Sequence, residues 1–171
     1  MNNLTHLECS LCAKRYTAGT VQNLCSCGGP LLVRYDLAKT KETWPRDSVA
    51  QAPPNMWRYA PVLPVRNPQS IVSLGEGMTP LIKTGRLGKR YGASELWVKD
   101  EGINPTGSFK ARGLSCAISM CVELGIRKVA IPSAGNAASA MAAYAAAAGL
   151  ESYIFMPSDF PQSNYIKVTA F

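Results

Sequence analysis

No apolar run in these 171 residues approaches the roughly 18–20 residues that a helical membrane span requires. The alanine-rich stretch 137–148 is interrupted by Ser139, Met141 and Tyr144, and Ala is too weakly apolar to hold a helix in lipid. Met1 to Glu8 carries no basic region followed by a hydrophobic core, so no export signal is visible and a cytoplasmic location is expected. Internal repeats and low-complexity tracts are missing apart from the alanine run. Histidine is nearly missing too: His6 is the only one, and it is expected at the surface without a catalytic role. Charge is sparse, at 17% of residues against 47% hydrophobic, which suits a globular chain with a sizeable core. Acidic residues are the scarcer sign, 11 against 18 basic, for a net charge of +7. Such a balance can serve phosphate binding, but the basic residues are spread thinly from Lys14 onward, most of them before Lys128. Their one tight group, Lys83, Arg86, Lys89 and Arg90, reads as the solvated face of a short helix. No nucleic-acid partner and no membrane partner are expected.

The six cysteines fall into two classes. Cys9, Cys12, Cys25 and Cys27 cluster near the N-terminus, and in a reducing compartment such a cluster points to metal rather than disulfides. Cys116 and Cys121 are five positions apart in an apolar helical stretch, about 140° around a helix of 3.6 residues per turn. They read as buried spectator thiols.

Residues 1–37 form a small Cys-rich unit with a strand at 31–35. Residues 38–70 hold Pro45, Pro53, Pro54, Pro61, Pro64 and Pro68 and read as an extended connector with one short helix near 56–59. Regular patterning begins after Ser70. A short helix from Thr84 to Tyr91 precedes a strand at 96–98; a helix from Ser108 to Leu124 precedes a strand at 128–131; a helix over 137–148 precedes a strand at 153–156. This alternation predicts an α/β architecture with parallel strands. Such folds place anionic ligands where loops leaving strand ends enter helix N-termini. Two loops fit: Asn104-Pro105-Thr106-Gly107-Ser108 and Ser133-Ala134-Gly135-Asn136.

Lys110 lies in the first turn of the helix that follows the first loop. The positive end of the helix dipole disfavours an ammonium there and favours a neutral, nucleophilic amine. In the second loop Asn136 suits a helix N-cap and Gly135 a turn, while exposed N–H groups and the Ser133 hydroxyl suit an anion. Asp100 and Glu101 are neighbours at a strand exit, pointing in different directions, and read as fold support or substrate-domain contacts rather than an acid–base pair.

The segments Ser73–Leu81 (SLGEGMTPL), Val98–Lys110 (VKDEGINPTGSFK) and Ser133–Asn136 (SAGN) resemble, in order and spacing, the fold-type II pyridoxal-phosphate (PLP) enzymes, and among them the threonine synthase family. The start, ending Cys27-Gly28-Gly29-Pro30-Leu31, is similar to the N-terminal zinc-ribbon-like module of many members. The resemblance implies a parallel sheet with flanking helices of the tryptophan synthase β-like kind. Residues 71–125 would be part of the large PLP domain and 126–171 the start of the smaller one. It implies Lys110 as the Schiff-base lysine, flanked by Phe109, and Asn136 as the hydrogen-bond partner of the cofactor's ring hydroxyl. Ser133, Ala134 and Gly135 would receive the substrate carboxylate. Cys9, Cys12, Cys25 and Cys27 would hold zinc. The implied reaction converts O-phospho-L-homoserine and water to L-threonine and phosphate, in a full-length form that is a homo-oligomer.

Two positions depart from the family pattern. Ala111 stands where many members have Asp after the lysine, which leaves a threonine/serine dehydratase or a β-replacement enzyme open. Cys25-x-Cys27 is one residue short of the usual zinc-knuckle pair. No glycine-rich loop for the cofactor phosphate follows Ala137, and members run to more than twice this length. An incomplete form is therefore expected, inactive alone and prone to aggregate, because a parallel sheet is normally covered on both faces. A non-catalytic remnant that binds partners through its Cys-rich start is the reading from another class.

Overall fold

The computed structural model describes residues 2–171. Strand β1 (Leu4–Cys9) is central in a three-stranded antiparallel sheet, flanked by β2 (Arg15–Tyr16) and β3 (Leu31–Tyr35). The loop between β2 and β3 folds back so that the two cysteine pairs face each other. This unit is stitched to the connector: the Asn2 side-chain amide donates to the carbonyls of Leu63 and Val65, each at 2.9 Å.

The connector is not extended. It forms α1 (Leu37–Thr43), α2 (Arg46–Gln51) and 3₁₀ turns over Met56–Val62 and Pro68–Ser70. Side-chain caps explain most of these starts: Asp36, Asn55 and Asn67 each accept from a backbone N–H two or three residues on. Proline spacing signalled breaks, but the residues between the breaks were long enough for single helical turns.

Strand β4 (Leu81–Lys83) leads into α3 (Gly85–Arg90) and returns as β5 (Trp97–Lys99). The pair is antiparallel, with Ile82 opposite Val98, so β5 does not join a parallel series as its place in the alternation suggested. Lys83 lies on β4, not on the helix with Arg86, Lys89 and Arg90. Helix α4 (Lys110–Glu123) follows, then β6 (Lys128–Pro132), α5 (Asn136–Ala147), β7 (Glu151–Phe155) and α6 (Gln162–Thr169). Strands β6 and β7 are parallel and in register from Lys128↔Glu151 to Pro132↔Phe155. Parallel pairing thus holds for this βαβ unit, and the other two sheets are antiparallel.

Helix α5 is the buried element. Its residues 138–145 are all buried, and the run of small side chains lets α4 and the neighbouring loops approach its backbone closely. Gly149, at φ 66°, ends it in the left-handed conformation, and Leu150 N–H reaches the Ala145 carbonyl at 2.9 Å. Ala111, Ile118, Met141, Tyr144, Ala145 and Leu150 make the main core, covered on one side by Val129, Ile131 and Ile154 from the β6–β7 pair. A second cluster of Met56, Trp57 and Val65 packs on the other side of α4 against Cys116 and Met120. Burial pushes the Cys116 thiol up to about 11, in keeping with a spectator role. Among the described residues no helix is long and apolar enough to cross a membrane.

Candidate active site

The lysine loop is built by turns. Asp100 Oδ1 accepts from Gly102 N–H at 3.0 Å to start one 3₁₀ turn, and Pro105 opens the next, Pro105–Gly107. Thr106 sits inside the second at φ 65°, ψ 10°, a left-handed conformation that is strained for a β-branched residue. Its Oγ1 is buried and has no hydrogen-bond partner. A strained threonine carrying an unmatched hydroxyl is costly to fold and marks a place where a ligand atom fits.

Below the loop stands an ion-paired cluster. Arg112 Nε and Nη2 donate to the two oxygens of Glu101 at 2.7 and 2.9 Å. Thr79 Oγ1 and Asn104 Nδ2 donate to the same carboxylate at 2.6 and 2.8 Å. The Arg112 guanidinium, with the Thr79 and Asn104 donors, pulls the Glu101 carboxyl down to about 2. Asn104 in turn accepts from Gly77 N–H at 3.0 Å. Glu101 is therefore a support of the lysine loop, as its position at a strand exit suggested.

Lys110 is the first residue of α4 and is half-buried. Its Nζ lies 4.5 Å from the centre of the exposed Phe109 ring. Ser108, expected at the helix start, is buried two residues before it, and its Oγ accepts from Lys110 N–H at 3.3 Å. The turn 105–107 packs against α5, so the lysine loop and the second loop belong to one neighbourhood. A cavity of about 420 Å³ between the lysine loop, α5 and α6 is lined by Thr106, Gly107, Ser139, Ile166, Lys167 and Phe171 among others; Lys110 and the residues of the second loop are not in its lining.

In the second loop Gly135, not Asn136, occupies the N-cap, and Asn136 is the first helical residue, with an exposed side chain. Ser133 N–H donates to the Phe155 carbonyl at 3.0 Å, and Gly135 N–H to Ser133 Oγ at 3.3 Å. Asn164 Nδ2 donates to the Ala134 carbonyl at 2.6 Å, tying α6 to the loop. Among the described residues the N–H groups of Ala134, Asn136 and Ala137 have no partner. Free amides at the start of a twelve-residue helix suit a carboxylate or phosphate.

Sequence reasoning missed Thr106 and Glu76. No pattern announces an unmatched hydroxyl. Glu76 is fully buried, and its only sign was a carboxylate between two glycines in the Ser73–Leu81 string.

The four N-terminal cysteines converge. Their sulfurs lie within 4.8 Å of one another, with Cys9–Cys27, Cys12–Cys25 and Cys12–Cys27 at 3.5 Å. A tetrahedral zinc–thiolate centre with bonds near 2.3 Å places sulfurs about 3.8 Å apart. The N–H groups of Leu11 and Cys12 both point at Cys9 Sγ, at 3.4 Å. The Cys27 amide and the Tyr16 hydroxyl hold the Cys25 thiol down at about 5. Cys27, although the Gly29 amide favours its thiolate, is pushed up to about 12 by the thiols of Cys25, Cys12 and Cys9. A divalent cation would relieve that crowding, so the donor set fits zinc; the short Cys25-x-Cys27 spacing does not prevent it. His6 is half-buried on β1 and outside this sulfur group.

The family model for pyridoxal-phosphate dependent enzymes matches residues 72–171. The chain belongs to that family, and pyridoxal phosphate is the family's cofactor. Similar curated proteins include threonine synthases. That of Methanocaldococcus jannaschii is 39% identical over 150 residues, covering 88% of this chain and 37% of that protein. That of Methanosarcina acetivorans is 41% identical over 155 residues, covering 90% and 37%. That of Synechocystis sp. is 45% identical over 103 residues, covering 60% and 27%. The chain thus spans 37% of the length of each archaeal relative.

Proposed function

We propose that this chain is the N-terminal portion of a cytoplasmic, threonine synthase-like lyase that converts O-phospho-L-homoserine and water to L-threonine and phosphate. One observation carries the reading: the turn Pro105–Gly107, which holds the strained Thr106 with its unpartnered hydroxyl and leads into Lys110, packs against α5, whose start carries three free amides. Similarity to threonine synthases over 88–90% of the chain supports the substrate.

Lys110 would hold the cofactor covalently, and Phe109 would flank it. When bound, the cofactor supplies an electron sink for carbanions formed at the substrate's carbons. Asn136 would donate to its ring hydroxyl, and the Lys110 amine, once displaced, would carry protons to and from the substrate carbons. Of the segment Ser133–Gly135, the Ala134 N–H is free to take the substrate carboxylate, joined by the amides of Asn136 and Ala137. Ser133 serves through its hydroxyl, which already orients Gly135. Glu101 and Arg112 take no part in proton transfer and keep the loop in shape. Zinc on Cys9, Cys12, Cys25 and Cys27 would hold the β2–β3 loop closed. No glycine-rich loop suited to the cofactor phosphate follows Ala137, so the 171-residue chain alone is proposed to be inactive.

Ala111 favours a second reading, a threonine/serine dehydratase or β-replacement enzyme. It is fully buried in the core, where a carboxylate of the kind many family members carry would stand without water. Fusing this chain to the C-terminal remainder of the Methanosarcina relative gives a complete enzyme to assay. Inorganic phosphate and threonine formed from O-phospho-L-homoserine support the first reading. Ammonia from threonine without phosphate release supports the second.

A further inference from the structure

Glu76 makes no contact with the reacting groups proposed above, yet it is fully buried and collects donors from four separate segments. Trp57 Nε1 in the connector donates to Oε1 at 2.9 Å. Ser73 Oγ and Ser115 Oγ, the latter on α4, lie 3.0 and 2.6 Å from the same oxygen. Leu74 N–H and the Tyr144 hydroxyl, on α5, reach Oε2 at 3.0 and 2.5 Å. Burial alone would push this carboxyl up; the Ser115 and Tyr144 hydroxyls and the Leu74 amide outweigh burial and hold it below the usual carboxylate range.

The geometry points to Glu76 as the positioning residue that sets the lysine loop and the start of α5 relative to each other. This rests on the cofactor reading of those two loops. Ser115 is five residues along α4 from Lys110, and Tyr144 is eight along α5 from Asn136, so one carboxylate grips both site helices. The next residue, Gly77, donates its N–H to Asn104 at the root of the lysine loop at 3.0 Å. Its own backbone is fixed as well, because Met56 N–H donates to the Glu76 carbonyl at 2.7 Å. A displacement of Glu76 therefore moves both loops at once.

The site requires two acceptor oxygens. Trp57 Nε1–H, shared between one oxygen and Ser115 Oγ at 3.0 Å, and Leu74 N–H at the other oxygen are donors that cannot rotate away, unlike the three hydroxyls. A glutamine in either orientation sets its NH₂ group against one of them. Glu76→Gln, isosteric and uncharged, is therefore expected to act as a loss and not as a conservative change.

Hydrogen exchange on the whole chain tests this without cofactor. In Glu76→Gln, the hydrogen-bonded amides of the two loops, Asn104, Gly107 and Lys110 in the first and Ser133, Gly135 and Ala138 in the second, are expected to exchange at least about tenfold faster, while those of β1 and β3 keep their wild-type rates. Unchanged loops in a folded variant, or one uniform rise across the molecule, would overturn the positioning role. If Glu76→Gln does not fold, Tyr144→Phe carries the same test: it removes one donor on α5, and faster exchange should concentrate in 133–138. Borohydride trapping of pyridoxal phosphate runs alongside, on the fused, complete enzyme described above. Lys110 labelled in the wild type and at least about tenfold less in Glu76→Gln supports the link to cofactor binding; equal labelling overturns it. A wild type that takes no label sinks the cofactor reading itself and, with it, the loops' role as cofactor holders, whereas the exchange pattern reports the pinning separately.

Discussion

Replacing Arg112 with Met keeps side-chain length but removes the guanidinium that makes the largest contribution to the low pKa of Glu101. Holding the carboxyl at about 2 instead of the ordinary 4.5 corresponds to roughly 3 kcal/mol at about 1.4 kcal/mol per tenfold. Thr79 and Asn104 supply part of it and remain in the variant. The Arg112 and Glu101 side chains also keep 30% and 26% exposure, so solvent screening reduces the expected loss to about 1–2 kcal/mol at neutral pH. Because the folded pKa is depressed, this stabilisation is complete above the unfolded carboxyl's pKa and fades as pH falls towards about 2. Urea unfolding of wild type and Arg112→Met at about pH 6, 4 and 2.5 reads the difference. The gap should be full at the first, narrowing by the second and small at the third. A gap independent of pH would refute the claim that an ionised Glu101 is what Arg112 holds.

Gly77→Ala should destabilise the chain by more than about 2 kcal/mol in denaturant unfolding, because its backbone is at φ +113° and a Cβ would meet Met56 N at 2.6 Å. Ile118→Ala, removing a side chain only 2% exposed, should cost about 2–5 kcal/mol in the same assay; under 1 would mean that the α4–α5 core is not tightly packed. Thr106→Gly relieves a left-handed threonine, so melting temperature should hold or rise while affinity for pyridoxal phosphate falls; unchanged affinity would make the unmatched hydroxyl irrelevant. Purified protein should carry one zinc per chain by elemental analysis, and Cys9→Ser should lose it. Metal-free wild type removes the zinc proposal.

Most of the helices and strands were legible because their signals are local. Glycine stops placed the ends of α4 and α5, and strand runs placed β3, β6 and β7 within two residues. Pairing was less legible. β5 looks like any short apolar strand, and only its contact with Leu81–Lys83, which carries no strand-length run of its own, makes it antiparallel. The connector misled because its prolines suggest extended chain and say nothing of the short helices around them, three of which Asp36, Asn55 and Asn67 start with their own side chains. At the site, Lys110 and the Ser133–Asn136 loop could be picked out from residue type and place. Which amides are free could not, since Ser133 N–H is taken by a strand twenty-two residues later. Glu76 was invisible as a hub for the same reason: its partners at 57, 115 and 144 meet only in three dimensions.

The central claim is that the amine at the entrance of α4 is the one that captures the aldehyde cofactor. Incubation of the fused, complete enzyme with pyridoxal phosphate, borohydride reduction and peptide mapping tests it most directly, with Lys110→Ala as control. A single reduced adduct on the peptide holding Lys110, lost in the control, is the predicted result. A folded protein with no adduct, or one labelled equally on Lys83, Lys89 and Lys110, would contradict it.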